Sequence, residues 1–394
     1  MHAVAWQEHL RERLARRHET GLWRERLSVT PTPDTRSRNF ASNDYLGLAG
    51  DVRLSEAQAQ GARQFGAGAG ASHLITGHLD PHHLLEERLA ELTGRPRALL
   101  FSTGYMANLG TLQALCDRQT QVYQDRLNHA SLLDGAKLAG ASSRRFHHRD
   151  LIDLERLLER APPDRRRLVV SDGVFSMDGD IADIDGLATI CQRYDAWLMI
   201  DDAHGLGVLG EHGDGCAGQR FSTSQVPILI GTLGKALGSA GAFVAGDEAL
   251  IEALIQFARP YIYTTAQPPG VASATLKALE ILTTEPERRA RLQDNIHRFR
   301  RGATALGLPL VESITPIQPV LLESNARVMA WHAALARHGF LVGAIREPTV
   351  PKGQARLRVT LGAHHRHDDI DALLDCLGEL ARREPYPPQE ATTP

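Results

Sequence analysis

Between about residue 98 and residue 235 the chain alternates two kinds of text. ALLF, QVYQD, RRF, RLVVSDGVFS, WLMIDDAHG and PILIGTLGK read as strands. TGYMANLGTLQAL, SLLDGAKLAG, LIDLERLLER and IADIDGLATICQRY, which fall between them, read as helices. A parallel neighbour in a sheet is reached only by a crossover, so strands that alternate with helices predict a mostly parallel sheet covered by helices on both faces. In such sheets ligands collect at the carboxyl ends of the strands. This one pattern fixes the class as α/β and says where chemistry belongs: Asp201, His204 and Lys235 each fall at or just beyond a predicted strand end.

Past about residue 283 the pattern changes. Helices such as ARVMAWHAALARHG and DIDALLDCLGELARR interleave with QPVLLE, FLVGAI and RLRVTL, which predicts a smaller α+β domain. With 394 residues there is room for more than one core. The expected division is an N-terminal helical and extended segment over 1–46, a large α/β domain over 47–283, a small C-terminal domain over 284–385 and a disordered tail over 386–394. An arginine-rich helix is expected over 4–19. FASNDYLGLAG reads as a short strand running into a turn, and QFGAGAGASHLITGH as a glycine-rich loop.

Composition excludes several classes. Hydrophobic residues make up 42% and charged residues 23%, with a net charge of −3, so no nucleic acid or membrane surface is called for. The four cysteines stand singly and form no CxxC pair, which argues for thiols in a reducing compartment. The N-terminus has no apolar signal core and no run approaches the ~20 residues of a membrane span. A soluble cytoplasmic protein is expected.

GTLGKALGSAGAF places Lys235 among glycines, alanines and small apolar residues. A sheltered ammonium loses pKa, which suits a lysine to Schiff-base formation or to proton transfer. A snorkelling lysine at a glycine turn is the plain alternative. Asp201 ends a buried strand, where a carboxylate needs a cation or donors. A lysine that forms an imine and an aspartate that meets a pyridine nitrogen are the two groups pyridoxal phosphate asks of a protein, although a structural Asp–Lys ion pair uses the same residues. Around them FSTGYMANLG offers the N–H groups of Gly104 and Tyr105 at a helix start, suited to a phosphate, and Thr232 lies three residues before Lys235. His129 in RLNHASL and Ser176 in GVFSMDGD close two further strands.

Together SNDYLGL, NHASLLDGA, GVFSMDGD, DDAHGLGVLGEHG and GTLGKALGSAG resemble the α-oxoamine synthases, fold-type-I pyridoxal-phosphate enzymes. The resemblance runs from about Trp6 to about Leu380. It implies the fold-type-I transferase architecture, pyridoxal 5'-phosphate as cofactor, and decarboxylative condensation of an amino acid with an acyl thioester. WQEHLRERLARR, GHLDPHHLLEERLA and AIREPTVPKGQARLRVTL favour the branch that joins L-alanine to a pimeloyl group carried on acyl carrier protein or coenzyme A. The branches of glycine C-acetyltransferase, 5-aminolevulinate synthase and serine palmitoyltransferase share the ring-binding set and are the alternative. One departure is His73, where many members carry an arginine after the glycine-rich run.

The resemblance also implies roles. Lys235 would form the Schiff base and move the Cα proton, Asp201 would pair with the pyridine nitrogen, His204 would bond the ring oxygen and His129 would stack on the ring. Ser176, Gly104, Tyr105 and Thr232 would hold the cofactor, with Thr265 reaching the phosphate of the other subunit of a homodimer. Arg358 would fork the substrate carboxylate. Arg24, Arg346 and Thr349 would face the acyl donor, and Asn43, with His129, would touch substrate. Residues 142–167 hold eight arginines against five acids, which would attract an acidic carrier protein, although a solvated helix face is the better reading of that run. AHHRHDD, with His364, His365, His367 and Asp368, has ligand-type residues but reads as the start of the last helix, and no metal site is expected.

Overall fold

The structure, a computed structural model, describes residues 2–20 and 22–384, so the tail expected over 386–394 lies outside the described residues. The chain forms two compact units, residues 1–36 and 37–394. In the first, the helix His2–Glu19 is rich in arginine and ends in Arg16, Arg17 and His18, which suit the negative end of its dipole. Thr20 Oγ1 donates to Arg16 O at 2.7 Å, and His18 stacks on Trp23.

Among its described residues the second unit holds eleven strands: β1 (Asn39–Phe40), β2 (Arg97–Phe101), β3 (Thr120–Asp125), β4 (Ser142–Phe146), β5 (Arg166–Asp172), β6 (Trp197–Asp201), β7 (Ile228–Thr232), β8 (Ala242–Gly246), β9 (Ile317–Glu323), β10 (Leu341–Ile345) and β11 (Ala355–Thr360). Seven form one sheet in the order β2-β8-β7-β6-β5-β3-β4. From β4 through β7 every pairing is parallel, as the alternation predicts. At the other edge the reading changes. The local pattern makes β7 the last strand of its series, whereas β8 follows within ten residues and lies antiparallel to both β7 and β2. AFVAG is short and made of small residues, so its identity as a strand comes from partners on both sides rather than from its own pattern.

The central strands are apolar on both faces, as burial on both faces demands. Val170, Met199 and Ile230 pack on one side, with Leu112 and Leu132 from the helices Gly104–Leu115 and Ala130–Leu138. Val169, Ile200 and Leu229 pack on the other with Leu154 and Leu187. The remaining strands form a smaller sheet, β1-β10-β11-β9, in which β1 runs parallel to β10. A third apolar cluster is continuous from Leu100 and Phe243 of the large sheet, through Leu237 and Leu282, to Val320, Leu357 and Leu373. The two sheets of this unit therefore share one core. Of FASNDYLGL only Phe40, with Asn39 just before it, is strand and joins the small sheet, while Tyr45, Leu46 and Leu48 enter the shared core.

Candidate active site

A cavity of about 480 Å³ opens at the carboxyl ends of the parallel strands. Asp172 ends β5, Asp201 ends β6 and the two are register partners. Thr232 ends β7, and Lys235 follows in the connection to β8. That connection is tight. Leu233 N donates to Gly241 O at 2.9 Å, Ser239 N donates to Leu233 O at 3.0 Å, and Thr232 Oγ1 donates to Gly241 O at 3.1 Å. Gly238 has φ +61°, and a Cβ there would stand 2.3 Å from Ala49 N. The small residues around Lys235 are thus what lets its loop lie against SNDYLGLAG.

Burial pushes the Lys235 ammonium down to about 8, against the Asp201 and Asp172 carboxylates, which favour the charged form. Asp201 accepts from Ala203 N at 3.0 Å and from Asn108 Nδ2 at 2.6 Å. Asp172 is raised well above the usual carboxylate range by burial and by the Asp201 charge. It accepts His129 N–H at 2.8 Å and so sets the start of the helix Ala130–Leu138.

These groups close into one circuit. Asn108 Nδ2 also donates to Ser131 Oγ at 2.8 Å, and Ser131 Oγ stands 2.7 Å from His129 Nδ1. The Ser131 backbone N–H also donates to His129 Nδ1 at 3.4 Å, which makes Nδ1 an acceptor and leaves the imidazole N–H on Nε2. The opposite wall carries His204, pushed well below the usual histidine range by burial and by the Lys235, Arg358 and His129 charges. Its Nδ1 lies 2.6 Å from the hydroxyl of Tyr45, which burial raises to about 12 and so keeps protonated. Arg358, on β11, is held by Ser176 O at 2.6 Å, Asn43 Oδ1 at 3.2 Å and Thr360 Oγ1 at 3.0 Å.

At the near end the helix Gly104–Leu115 begins. Thr103 takes the N–H of Met106 with its hydroxyl and that of Ala107 with its carbonyl. The N–H groups of Gly104 and Tyr105, at the cavity wall, have no such partner among the described residues. A helix start with two free donors is an anion site by construction. Tyr105 is held from outside by its hydrogen bond to Asp134.

The cavity therefore gathers Asn43, Gly104, Tyr105, His129, Ser176, Asp201, His204, Thr232, Lys235 and Arg358 from the residues singled out in the sequence. From the same unit it does not gather Thr265, Arg346 or Thr349. Arg24 is exposed in the first unit. Thr265 is exposed beyond the short helix Arg259–Ile262, and Arg346 and Thr349 lie in the turn after β10. Asn108, Ser131, Asp172 and Tyr45 were missed. Asp172 had a signal, because it is the acid at a strand end in VVSDG. Asn108 and Ser131 are polar residues on helices and announce nothing until the strand ends are placed beneath them. AHHRHDD holds no metal-type group among the described residues: His365 is spent on Gly362 N and Asn39 O, and His367 opens the helix His367–Arg383 and pairs with Asp294. No helix among the described residues is long and apolar enough to cross a membrane.

The aminotransferase class I and II family matches residues 37–377. An 8-amino-7-oxononanoate synthase of Chromohalobacter salexigens is 67% identical over 382 residues, 96% of this chain and 98% of that protein. One from Pseudomonas putida is 54% identical over 379 residues, 94% of this chain and 96% of its own length. Among solved structures, the 8-amino-7-oxononanoate synthase of Francisella tularensis superposes with a TM-score of 0.77 at 34% identity, over 88% of this chain and 98% of that one. A serine palmitoyltransferase variant from S. paucimobilis, solved with a bound PLP–myriocin aldimine, superposes with a TM-score of 0.84 at 31% identity, over 88% of this chain and 87% of that one.

Proposed function

Since the chain belongs to the aminotransferase class I and II family, within its pyridoxal-phosphate-dependent α-oxoamine synthases, we propose that it condenses L-alanine with a pimeloyl thioester to give 8-amino-7-oxononanoate, carbon dioxide and free thiol, a step of biotin biosynthesis. One observation carries the reading. A buried lysine with its pKa down at about 8 shares a 480 Å³ cavity with a strand-end carboxylate, two histidines, an arginine and a helix start.

The cavity fits pyridoxal phosphate. Asn108 Oδ1 is buried there without a partner, two backbone N–H groups await an anion, and the sheltered amine and the Asp201 carboxylate suit an aldehyde and a pyridine nitrogen. Lys235 would hold it covalently, Gly104, Tyr105 and Thr232 would hold its phosphate, and Asp201, His129, His204 and Ser176 would frame its ring. When bound, the cofactor supplies an acceptor for the electron pair left at the substrate Cα.

This chain's residues do the rest. Lys235 Nζ, near half-deprotonated at pH 8, takes a proton from Cα and returns it after carbon dioxide leaves. The circuit through Asn108 and Ser131 keeps the His129 ring in one orientation, with Nε2–H on its free edge. Arg358, already pinned at Nε and Nη1, offers a planar fork for the amino-acid carboxylate. Asn43 holds that arginine and stands beside the substrate. Arg24, Arg346 and Thr349 face the acyl donor in this reading. Exposed Thr265 serves the second site of a homodimer. Four free cysteines and freely diffusing substrates accord with a cytoplasmic setting.

The test is product analysis. Purified protein with pyridoxal phosphate, L-alanine and pimeloyl-CoA or pimeloyl acyl carrier protein is expected to yield 8-amino-7-oxononanoate and one carbon dioxide per turnover, and Lys235→Ala to yield none. Turnover with glycine or L-serine in place of L-alanine would overturn the substrate assignment. Failure to bind pyridoxal phosphate would overturn the whole reading.

A further inference from the structure

The stretch SHLITGHLDPHHLLEE carries His73, His78, His82, His83 and Glu86, none of which lines the cavity described above. Hydrogen bonds sort them. His82 is spent: its Nδ1 accepts Leu79 N–H at 3.0 Å, and its Nε2 gives a proton to Gln267 O at 2.8 Å. His73 and His78 bring their Nδ1 atoms to 2.9 Å, so one donates to the other. On its far side His78 Nε2 faces Glu86 Oε2 at 3.9 Å, too long for a hydrogen bond. Glu86 has only Oε1 engaged, by Leu100 N at 2.9 Å. His83, exposed, stands three residues before Glu86 on the helix Asp80–Thr93, hence on the same side of it, and its ring lies edge-on to His78 at 5.9 Å. One ligand atom each from His78, His83 and Glu86 lie within 4.8 Å of one another.

We propose that His78, His83 and Glu86 bind a divalent transition-metal ion of the zinc class through two imidazole nitrogens and one carboxylate oxygen, with His73 Nδ1 holding His78 from behind. Two nitrogens and one oxygen suit zinc, nickel or copper, whereas calcium and magnesium prefer oxygen alone. Tetrahedral ligands at the usual bond lengths stand about 3.3 Å apart. His83 Nε2 faces Glu87 Oε1 at 3.4 Å, so binding would turn the exposed His83 ring away from Glu87 and the free Glu86 Oε2 toward the ion. With His78 Nδ1–H donated to His73, the Nε2 lone pair faces the ion, the arrangement in which a ligating imidazole is held by its other nitrogen. Three protein ligands leave one position for water. The ion would tie the end of the glycine-rich loop to the helix that follows it.

The test uses the holoenzyme, freed of metal by chelation and titrated with zinc chloride against a chromophoric chelator. One equivalent per chain is expected. His83→Asn and Glu86→Gln should each weaken binding at least tenfold, and His367→Asn, an exposed control, should leave it unchanged. Zinc should raise the melting temperature of the parent chain and not that of His83→Asn. Because His83 lies on the surface, that variant's fold is not at stake. X-ray absorption should show a nitrogen and oxygen shell with imidazole scattering. Binding that survives His83→Asn undiminished, that follows a change at His129 or His204 instead, or that shows no stoichiometric step would overturn the proposal. In that last case His78 and Glu86 form no more than a loose ion pair.

Discussion

Asp201 and Asp202 are adjacent, both buried, and do opposite things. Asp201 ends β6 facing the cavity, where it meets Asn108, Ala203 N and the field of Lys235. Asp202 points the other way, because successive residues leave an extended strand on opposite faces. Its Oδ1 accepts from Cys216 Sγ at 2.7 Å, and its Oδ2 accepts from Cys216 N at 2.7 Å and Ala217 N at 3.3 Å. Backbone crowds it, for a Cβ on Gly205 or Gly215 would stand 2.0 Å from an Asp202 oxygen. One carboxylate serves an open space and the other fills a closed one. A charged pair in sequence thus divides into a site and a clasp, and only the packing says which is which.

The division is tested first at the lysine that belongs to Asp201's side. Lys235→Ala should abolish turnover, with the thermal transition nearly unmoved, as scanning calorimetry would show. Asp201→Asn should follow with about 10²–10³-fold in kcat and a shifted absorption band of the bound cofactor. Asp202→Ala should reverse the pattern. Unpaired N–H groups at Cys216 and Ala217 should cost about 2–4 kcal/mol of stability in urea unfolding, with kcat per folded molecule within a few-fold of the parent. If Asp202→Ala abolished turnover without loss of stability, the comparison would collapse.

A pH series sharpens it further. Burial pushes Asp202 up to about 7, so between the unfolded value near 4 and about 7 the folded chain keeps a proton that the unfolded chain has lost. The stability that Asp202 contributes is therefore fullest below about 4 and falls as pH rises towards 7, by up to about 1.4 kcal/mol per unit. Asp202→Asn should flatten that slope. The smallest effect is expected at Asp172→Asn. The Asn amide oxygen has the same shape and can take the same His129 N–H. Turnover within about tenfold is expected by steady-state kinetics, whereas Asp172→Ala should raise KM by releasing the His129 loop.

How much of this could be read beforehand follows from the range of the forces involved. The parallel strands and their terminal residues were legible, because a β-rich run followed by an amphipathic helix is a local signal. Lys235 was legible from its flanks, which answer to Gly238 and to the close approach of Ala49. The antiparallel β8 was not, since AFVAG gains its place from β2 and β7, the former some 140 residues away in the chain. Nor was the circuit through Asn108 and Ser131, which needs two helices laid over two strands before any hydrogen bond exists. Thr265, Arg346 and Thr349 were marked by resemblance alone, and nothing in their local pattern placed them at or away from the cavity.

The connection that carries Lys235 runs out of β7 and straight back into β8, with both strands set inside the sheet. Such a support offers no hinge. In the proposed reaction the Lys235 amine would leave and return by rotation about its own methylene bonds, while the main chain stays where it is. Loop motions that gate other enzymes take microseconds to milliseconds. In the proposed reaction the return of the base would need no such motion.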